Sequence, residues 1–385
     1  MNAPPTPETL AANRILIYRL GSLGDTVVAL PSFHLIARTF PRAERRLLTN
    51  IPVHAKAPLS AAVLEGSGLV HGYLNYPVGL RDLRALLQLR RDIRNFRPDI
   101  LIYLAPPRGL AAARRDALFF RLCGIKKIIG LPITEDLQHC RWLAPGSPAL
   151  AGYVKPDPPR PNLPPDIGLP IDQLLEPEAA RLGRCLAPLG DANIENPASW
   201  DLCLSTEEQQ KAVYELAAVA HHPILAAAIG TKVQAKDWGV DNWRATLTQL
   251  AAELPNHRLV LVGAPQEAAD SATAASAWTG RTLNLCGQLS PRETAAVLAH
   301  AQLFIGLDSG PMHLAAAVAT PVVAIFAARN RPVHWFPFGP QHRIVYHKTD
   351  CWGCGLETCI AQRKKCLTSI TVEEALAAIR QSLAR

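Results

Sequence analysis

Arg14-Ile-Leu-Ile-Tyr-Arg-Leu-Gly-Ser-Leu-Gly-Asp25 decides the fold. A short apolar run is closed by a glycine-rich turn, and a helical stretch follows from Thr26 to about Phe40. Strand, loop, helix is the repeating unit of a parallel α/β sheet. The unit recurs outward from this start, with strand candidates at Arg46–Thr49, Leu69–Leu74, Asp99–Leu104 and Lys127–Gly130 and helical patterns at 79–96 and 109–122. From Lys155 to Pro170 so many prolines remove amide donors that neither helix nor central strand can form, so this is a lobe-edge loop or the start of a linker. The rhythm then resumes. Strands are expected at Ile224–Ile229, Arg258–Val262, Thr282–Leu285, Leu303–Gly306 and Val322–Phe326, with helices at 205–220, 241–253, 266–278, 291–300 and 311–318. The expected architecture is α/β, with two Rossmann-like doubly wound lobes facing across a cleft. The lobes are placed at 1–190 and 191–370, and a C-terminal helix at 371–385 packs back on the N-terminal lobe. Ligands of such sheets bind outside the carboxyl ends of the strands, so the loops after the strands are where chemistry belongs.

Length and composition agree: 385 residues, 49% apolar and 19% charged, suit two globular domains and exclude a disordered or fibrous chain. The net charge of +8 is unevenly placed. Residues 1–190 hold 24 Lys and Arg against 15 Asp and Glu, a net of +9, whereas residues 191–385 hold 16 against 17, a net of −1. One lobe is therefore suited to anionic material, a solvated basic surface being the plain alternative. Met1 to Asn13 carries no basic residue and no long apolar stretch, so it reads as a tail and as neither a signal nor a transit peptide. The longest apolar run, Leu314 to Ala328, is interrupted by Thr320 and Pro321 and is too short for a membrane span. A cytoplasmic protein, soluble or surface-associated, is expected.

Four loops carry candidate chemistry. In Leu20–Asp25 only Gly21 and Gly24 are glycines, so neither a dinucleotide fingerprint nor a P-loop is present. Asp25 is either the N-cap of the following helix or a carboxylate base, with Gly21, Ser22 and Gly24 letting substrate approach the backbone. In Ile305–His313, Asp308, Ser309, Gly310 and His313 surround a helix start with Pro311 in its first turn, an anion site suited to a diphosphate or an ordinary capped helix. After the strand at 224–229, Thr231 and Lys236 offer a hydroxyl and a point charge to phosphate, or simply sit on a surface loop. Glu267 follows the strand at 258–262 and could accept from ribose hydroxyls or cap the next helix. No Asp-x-Asp pair occurs, so leaving-group charge would fall to lysine, hydroxyls and helix amides.

Taken in order, these motifs resemble glycosyltransferase family 9, the heptosyltransferases of the lipopolysaccharide core and related glycans. The resemblance is carried by Arg19-Leu-Gly-Ser-Leu-Gly-Asp-Thr-Val-Val-Ala-Leu-Pro31, by Phe304-Ile-Gly-Leu-Asp-Ser-Gly-Pro-Met-His-Leu-Ala-Ala316 and by the terminal Cys-x-x-Cys-x4-Cys. It implies a glycosyltransferase B fold and an inverting transfer that requires no cofactor or metal. It also implies an N-terminal acceptor lobe and a C-terminal lobe for the nucleotide-sugar donor. Asp25 falls on the family's proposed general base, Thr231 and Lys236 on its diphosphate loop, Glu267 near the ribose, and Asp308, Ser309, Gly310 and His313 on its donor-binding turn. Gly21 stands where a serine is frequent, Lys232 where some members have a hydroxyl residue, and Ala327–Gly339 is unlike the typical stretch, which leaves the donated sugar open between heptose and a relative. The expected partners are a nucleotide diphosphate sugar, a glycolipid or oligosaccharide acceptor and an anionic membrane surface on the inner face of the inner membrane, with no nucleic acid.

Two features lie outside these motifs. Six arginines fall between Arg81 and Arg97 on a helix whose Leu83, Leu86, Leu87, Ile93 and Phe96 are expected inward. They form a solvated face or meet phosphorylated sugars or an anionic leaflet. Cys351, Cys354, Cys359 and Cys366 are separated by 2, 4 and 6 residues, tighter than the usual zinc ribbon, and read as a structural zinc site or as free thiols. The rival functions are a non-transferring sugar-nucleotide enzyme such as an epimerase, which would release product without an acceptor, and a noncatalytic nucleotide- or lipid-binding module.

Overall fold

The computed structural model describes residues 12–51, 59–144 and 174–384. The tail through residue 11 and the proline-rich stretch Lys155–Pro170 lie outside them. The chain forms two compact units, Met1–Arg141 with Pro177–Cys203, and Trp142–Glu176 with Leu204–Arg385.

The first unit is built on five parallel strands, β1 (Arg14–Tyr18), β2 (Glu44–Ile51), β3 (Gly72–Pro77), β4 (Ile100–Tyr103) and β5 (Lys127–Ile129), in the order β3-β2-β1-β4-β5. Ile15, Leu16 and Ile17 of β1 and Ile100, Leu101 and Ile102 of β4 are buried, as strands covered on both faces require. The helix expected from Thr26 to Phe40 is two helices, Leu23–Val28 and Leu30–Thr39. Pro31 has no amide to return to the preceding turn, so the first helix closes with the Ala29 amide on the Thr26 carbonyl at 3.1 Å and the second starts with Pro31 in its first turn. The third strand lies later than Leu69–Leu74, because Leu69 is held in the preceding turn, its carbonyl accepting from Arg45 Nε at 2.9 Å.

The inward face of the helix Leu83–Phe96 also differs from expectation. Leu89, Ile93 and Phe96 are buried, whereas Leu83 and Leu87 are 69% and 42% exposed. Leu89, Ile93 and Phe96, at i, i+4 and i+7, make one stripe, and Leu83 and Leu87, four apart, lie on another.

Pro177–Cys203 belongs to the first unit, beyond the boundary expected at 190. His34 and Arg38 on the helix Leu30–Thr39 bond the carbonyls of Asp201 and Asp191 at 2.8 and 2.7 Å, and Trp200 is buried beside them. The buried Arg181 is paired with Glu178 and donates to the Leu137 carbonyl at 2.9 Å.

In the second unit β6 (Trp142–Leu143) and β7 (Leu174–Leu175) make a short antiparallel ribbon. The main sheet comprises β8 (Ile224–Ala228), β9 (Arg258–Leu261), β10 (Thr282–Asn284), β11 (Leu303–Leu307), β12 (Val322–Phe326) and β13 (Arg343–Tyr346), all parallel, in the order β10-β9-β8-β11-β12-β13. β13 is an additional edge strand that hydrophobic patterning did not reveal. The C-terminal helix Val372–Leu383 packs against β12 and β13 of this second unit. Arg380 forms two bonds to Glu253 at 2.9 and 2.6 Å, and His347 at the end of β13 is bonded to Ser369 and Glu374, both at 2.9 Å. No helix of the described residues is long and apolar enough to cross a membrane.

In each sheet the order reverses beside the first strand, between β1 and β4 in one unit and β8 and β11 in the other. Connections leave such a pair in opposite directions and open a crevice at the carboxyl ends. β11 leads to the second of these points, and Ile305 within it is fully buried. Ile305→Ala should lower unfolding free energy by about 2–5 kcal/mol. A urea midpoint shift equivalent to less than about 1 kcal/mol would show that β11 is not part of the cooperative core.

Candidate functional site

In the first unit the loop after β1 runs directly into the crevice. Ser22 is the N-cap of the helix Leu23–Val28, and Asp25 occupies its third position, Oδ2 accepting from the Ser22 amide at 2.8 Å and from the Ser22 hydroxyl at 3.0 Å. Asp25 is therefore not itself the N-cap; it closes the capping box back onto Ser22. Gly21 is required twice over. Its φ of 122° suits glycine alone, and a β-carbon there would lie 2.5 Å from that of Asp25. Gly24 lies in the first turn of the same helix.

Arg19, fully buried, ties the two loops of the crevice together, donating to the Leu104 carbonyl after β4 at 2.7 Å and to the Asp25 carbonyl at 2.6 Å. Loss of hydration lowers its pKa, and the Asp25 carboxylate is the leading charge that opposes the shift.

Beside it lies a polar cluster that sequence reading missed. Tyr18 and Tyr76 share a bond at 2.8 Å, Tyr103 donates to Asp116 at 2.9 Å, and Arg108 pairs with Asp116 while reaching both Tyr18 and Tyr103. Burial raises the pKa values of all three phenols, which therefore stay neutral near pH 7. Tyr18 and Tyr103 are the last residues of β1 and β4, and a hydroxyl at the end of each strand flanking a topological reversal was the available signal.

In the second unit two expected residues, Lys236 and Asp308, meet at the crevice. The 3-10 turn Gln234–Lys236 after β8 aims Lys236 at the turn after β11, where its ammonium lies 2.8 Å from Asp308 Oδ2 and 3.2 Å from the Asp308 carbonyl. Asp308 is buried and also accepts from Asn330 Nδ2 at 3.3 Å, and the Asn330 carbonyl in turn accepts from the Tyr346 hydroxyl at 3.1 Å. Asp308 thus orders the loop and holds Lys236 in place. Asn330 and Tyr346 escaped sequence reading, since one lies in an irregular loop and the other on the unrecognised β13.

Ser309 is the N-cap of the helix Gly310–Ala317 but makes no side-chain bond to the first turn, and its shielded hydroxyl has no partner among the described residues. Amides at this helix start carry the positive end of the helix dipole, with an orphan donor beside them. His313 is buried in the first turn. Thr231 begins the β8 loop, its hydroxyl accepting from the Val233 amide at 3.3 Å.

Glu267 lies across the carboxyl ends of β8 and β9. Its Oε2 accepts from the Ala264 amide at 2.8 Å, and β-carbons on Gly230 or Gly263 would collide with its carboxyl group. Two glycines therefore make the space this carboxylate fills. Burial raises its pKa, with the Ala264 amide and Lys232 acting in the opposite direction.

The cysteine-rich segment supports the Lys236 turn from behind. The Cys359 amide donates to Gln234 Oε1 at 2.8 Å, the Ala235 amide to the Glu357 carbonyl at 3.0 Å, and Lys364 Nζ to the Asp237 carbonyl at 2.7 Å. The four thiols are near enough that Cys351, Cys359 and Cys354 add to the burial that raises the Cys366 pKa. Among the described residues no three of the sulfurs of Cys351, Cys354, Cys359 and Cys366 come within 4.8 Å of one another. The segment braces the loop through Glu357, Cys359 and Lys364.

Residues 184–365 match the family model described as glycosyltransferase family 9 (heptosyltransferase). Lipopolysaccharide heptosyltransferase 3 of Escherichia coli is 34% identical over 106 residues, 27% of this chain and 30% of that protein. The chain spans about three tenths of the length of the curated relatives it matches. Among solved structures, a glycosyltransferase family 9 protein from Veillonella parvula superposes with a TM-score of 0.66 at 15% identity, covering 97% of both chains. The ADP-heptose lipopolysaccharide heptosyltransferase II of E. coli gives 0.58 at 17% identity, covering 96% of this chain and 98% of that one. The fold is the glycosyltransferase B fold.

The half-buried Glu267 yields a pH signature. With its folded pKa raised, the native state holds this proton to higher pH than the unfolded chain does, so its contribution to stability declines as pH rises from about 4.5 through the folded value. Glu267→Gln, which keeps an acceptor for Ala264, should therefore gain on the parent protein between pH 4 and pH 7 in thermal melts. A difference that is flat or reversed across that window would contradict the assignment.

Proposed function

We propose that this chain, whose residues 184–365 match the glycosyltransferase family 9 model, transfers a sugar, heptose or a relative, from a nucleotide diphosphate donor to a lipopolysaccharide-core or related glycan acceptor. The observation that carries this reading is the Lys236–Asp308 ion pair at 2.8 Å beside the uncapped helix start and the orphan Ser309 hydroxyl. A fixed ammonium, free amides and an unpaired hydroxyl are together complementary to a diphosphate. Glu267, recessed over two glycines, is placed to accept from the ribose, and Thr231 offers a further hydroxyl. ADP is the first nucleotide to test, since the structurally similar E. coli enzyme takes ADP-heptose.

In the proposed step an acceptor hydroxyl attacks the anomeric carbon, the carbon–oxygen bond to the diphosphate breaks on the opposite face, and the configuration inverts. Asp25 accepts the hydroxyl proton late, when bond formation to the anomeric carbon has made it acidic. Its capping bonds from Ser22 fix Oδ2 and orient the carboxylate. Lys236, Thr231 and the amides from Gly310 onward balance the charge growing on the leaving diphosphate, the task a divalent ion performs in enzymes with an Asp-x-Asp pair. The acceptor is a glycolipid or oligosaccharide met by the +9 half of the chain, at an anionic membrane surface on the cytoplasmic side.

Asp25→Asn keeps the size and can still accept from Ser22. It should lower turnover by a factor of at least ~10² while leaving nucleotide affinity unchanged. Nucleotide release from donor plus acceptor, followed alongside nucleotide titration, measures both, and near-normal turnover in this variant would remove Asp25 as the base.

A further inference from the structure

The helices Leu83–Phe96 and Leu110–Leu122 carry a surface that the transfer reaction does not use. They connect β3 to β4 and β4 to β5, so both crossovers run the same way along the sheet, and right-handed connections place both on one face. They are in contact, Arg90 Nε donating to the Leu122 carbonyl at 2.9 Å.

On the first helix the exposed Leu83 and Leu87 share a stripe with the exposed Arg84, Arg91 and Arg94. The acids of this helix lie elsewhere: Asp82 is its N-cap, and Asp92, bonded to Gln88, is half a turn away from Leu83. On the second helix Leu118 and Leu122 are 59% and 57% exposed, flanked by the exposed Arg114 and Arg121. Its single acid, Asp116, is buried against Arg108 and Tyr103. Four exposed leucines set among arginines, with no exposed carboxylate in either stripe, are unsuited to water and complementary to a lipid surface of negative charge.

We propose that this paired-helix face docks the protein on an anionic membrane, the arginines meeting lipid phosphates and the leucines entering the interface. The inference rests on the glycolipid reading for its setting, but its support is the charge and exposure of this one face. Arginine gives the attraction and its salt dependence, and leucine gives a component that salt does not screen.

The test is co-sedimentation of the full chain with phosphatidylcholine vesicles with and without phosphatidylglycerol. The unchanged protein should bind only the anionic vesicles. Arg84→Glu combined with Arg91→Glu and Arg114→Glu should weaken that binding by at least ~10-fold. Leu87→Ser with Leu118→Ser should keep low-salt binding but lose the fraction that survives about 1 M salt, where screening extends only about 3 Å. All substituted residues are exposed, and coincident thermal melts verify folding. Equal binding to neutral and anionic vesicles, no binding to either, or variants that bind like the parent would each overturn the proposal, the last two leaving the face to a protein partner. Nucleotide titration of the same samples keeps the two readings apart, since it should be unchanged in every variant whatever the vesicles show.

Discussion

Two parallel strands whose connections leave in opposite directions cannot share one covering helix, and the gap this leaves at their carboxyl ends organises each unit of this protein. Between β8 and β11 the gap holds Lys236, Asp308 and the start of the helix Gly310–Ala317. Between β1 and β4 it holds Asp25, tied down by Arg19 to the chain leaving β4. Buried charges are tolerable here because each is paired or bonded. Arg19 reaches two carbonyls, and the Asp308 carboxylate takes an ammonium and an amide. The Ser309 hydroxyl, one of several buried polar groups without a partner among the described residues, is the one that lies beside this ion pair and helix start, where such an exception fits a ligand position.

Around these charges the rest of the chain acts as support. Gly21, Gly230 and Gly263 are places where a single β-carbon would displace a carboxylate, and the tolerance for substitution there is correspondingly small. The cysteine-rich segment holds Gln234, Ala235 and Asp237, the residues on either side of Lys236, and so fixes where the ammonium can point. The C-terminal helix, through Arg380 on Glu253 and Glu374 on His347, closes the second unit. In the proposed transfer, turnover depends on the position of these groups, because a diphosphate is a good leaving group once its charge is met.

The strand–loop–helix rhythm was legible because parallel strands buried on both faces are continuous apolar runs: Ile15–Ile17, Leu225–Ala227 and Phe304–Leu307 are unmistakable. The loops after β1, β8, β9 and β11 followed from the same pattern. What escaped had nonlocal causes. β13 is an edge strand whose Arg343 and Ile344 are only half-buried, so its pattern is weak. Leu83 and Leu87 look like core because leucine usually is, and only the packing of Leu89, Ile93 and Phe96 shows which stripe faces the sheet. Arg108, Tyr18 and Tyr103 come together from separate strands and loops, which no local window contains.

The central claim is that the β8–β11 crevice binds a diphosphate through Lys236. Calorimetric titration of the full chain with a nucleoside diphosphate and with the bare nucleoside, before and after Lys236→Ala, tests it most directly. The account predicts that the substitution weakens the diphosphate by roughly tenfold or more, the ~1.5–3 kcal/mol of a charge-assisted bond, and leaves the nucleoside nearly unchanged. Equal affinity of the two proteins for the diphosphate would contradict it.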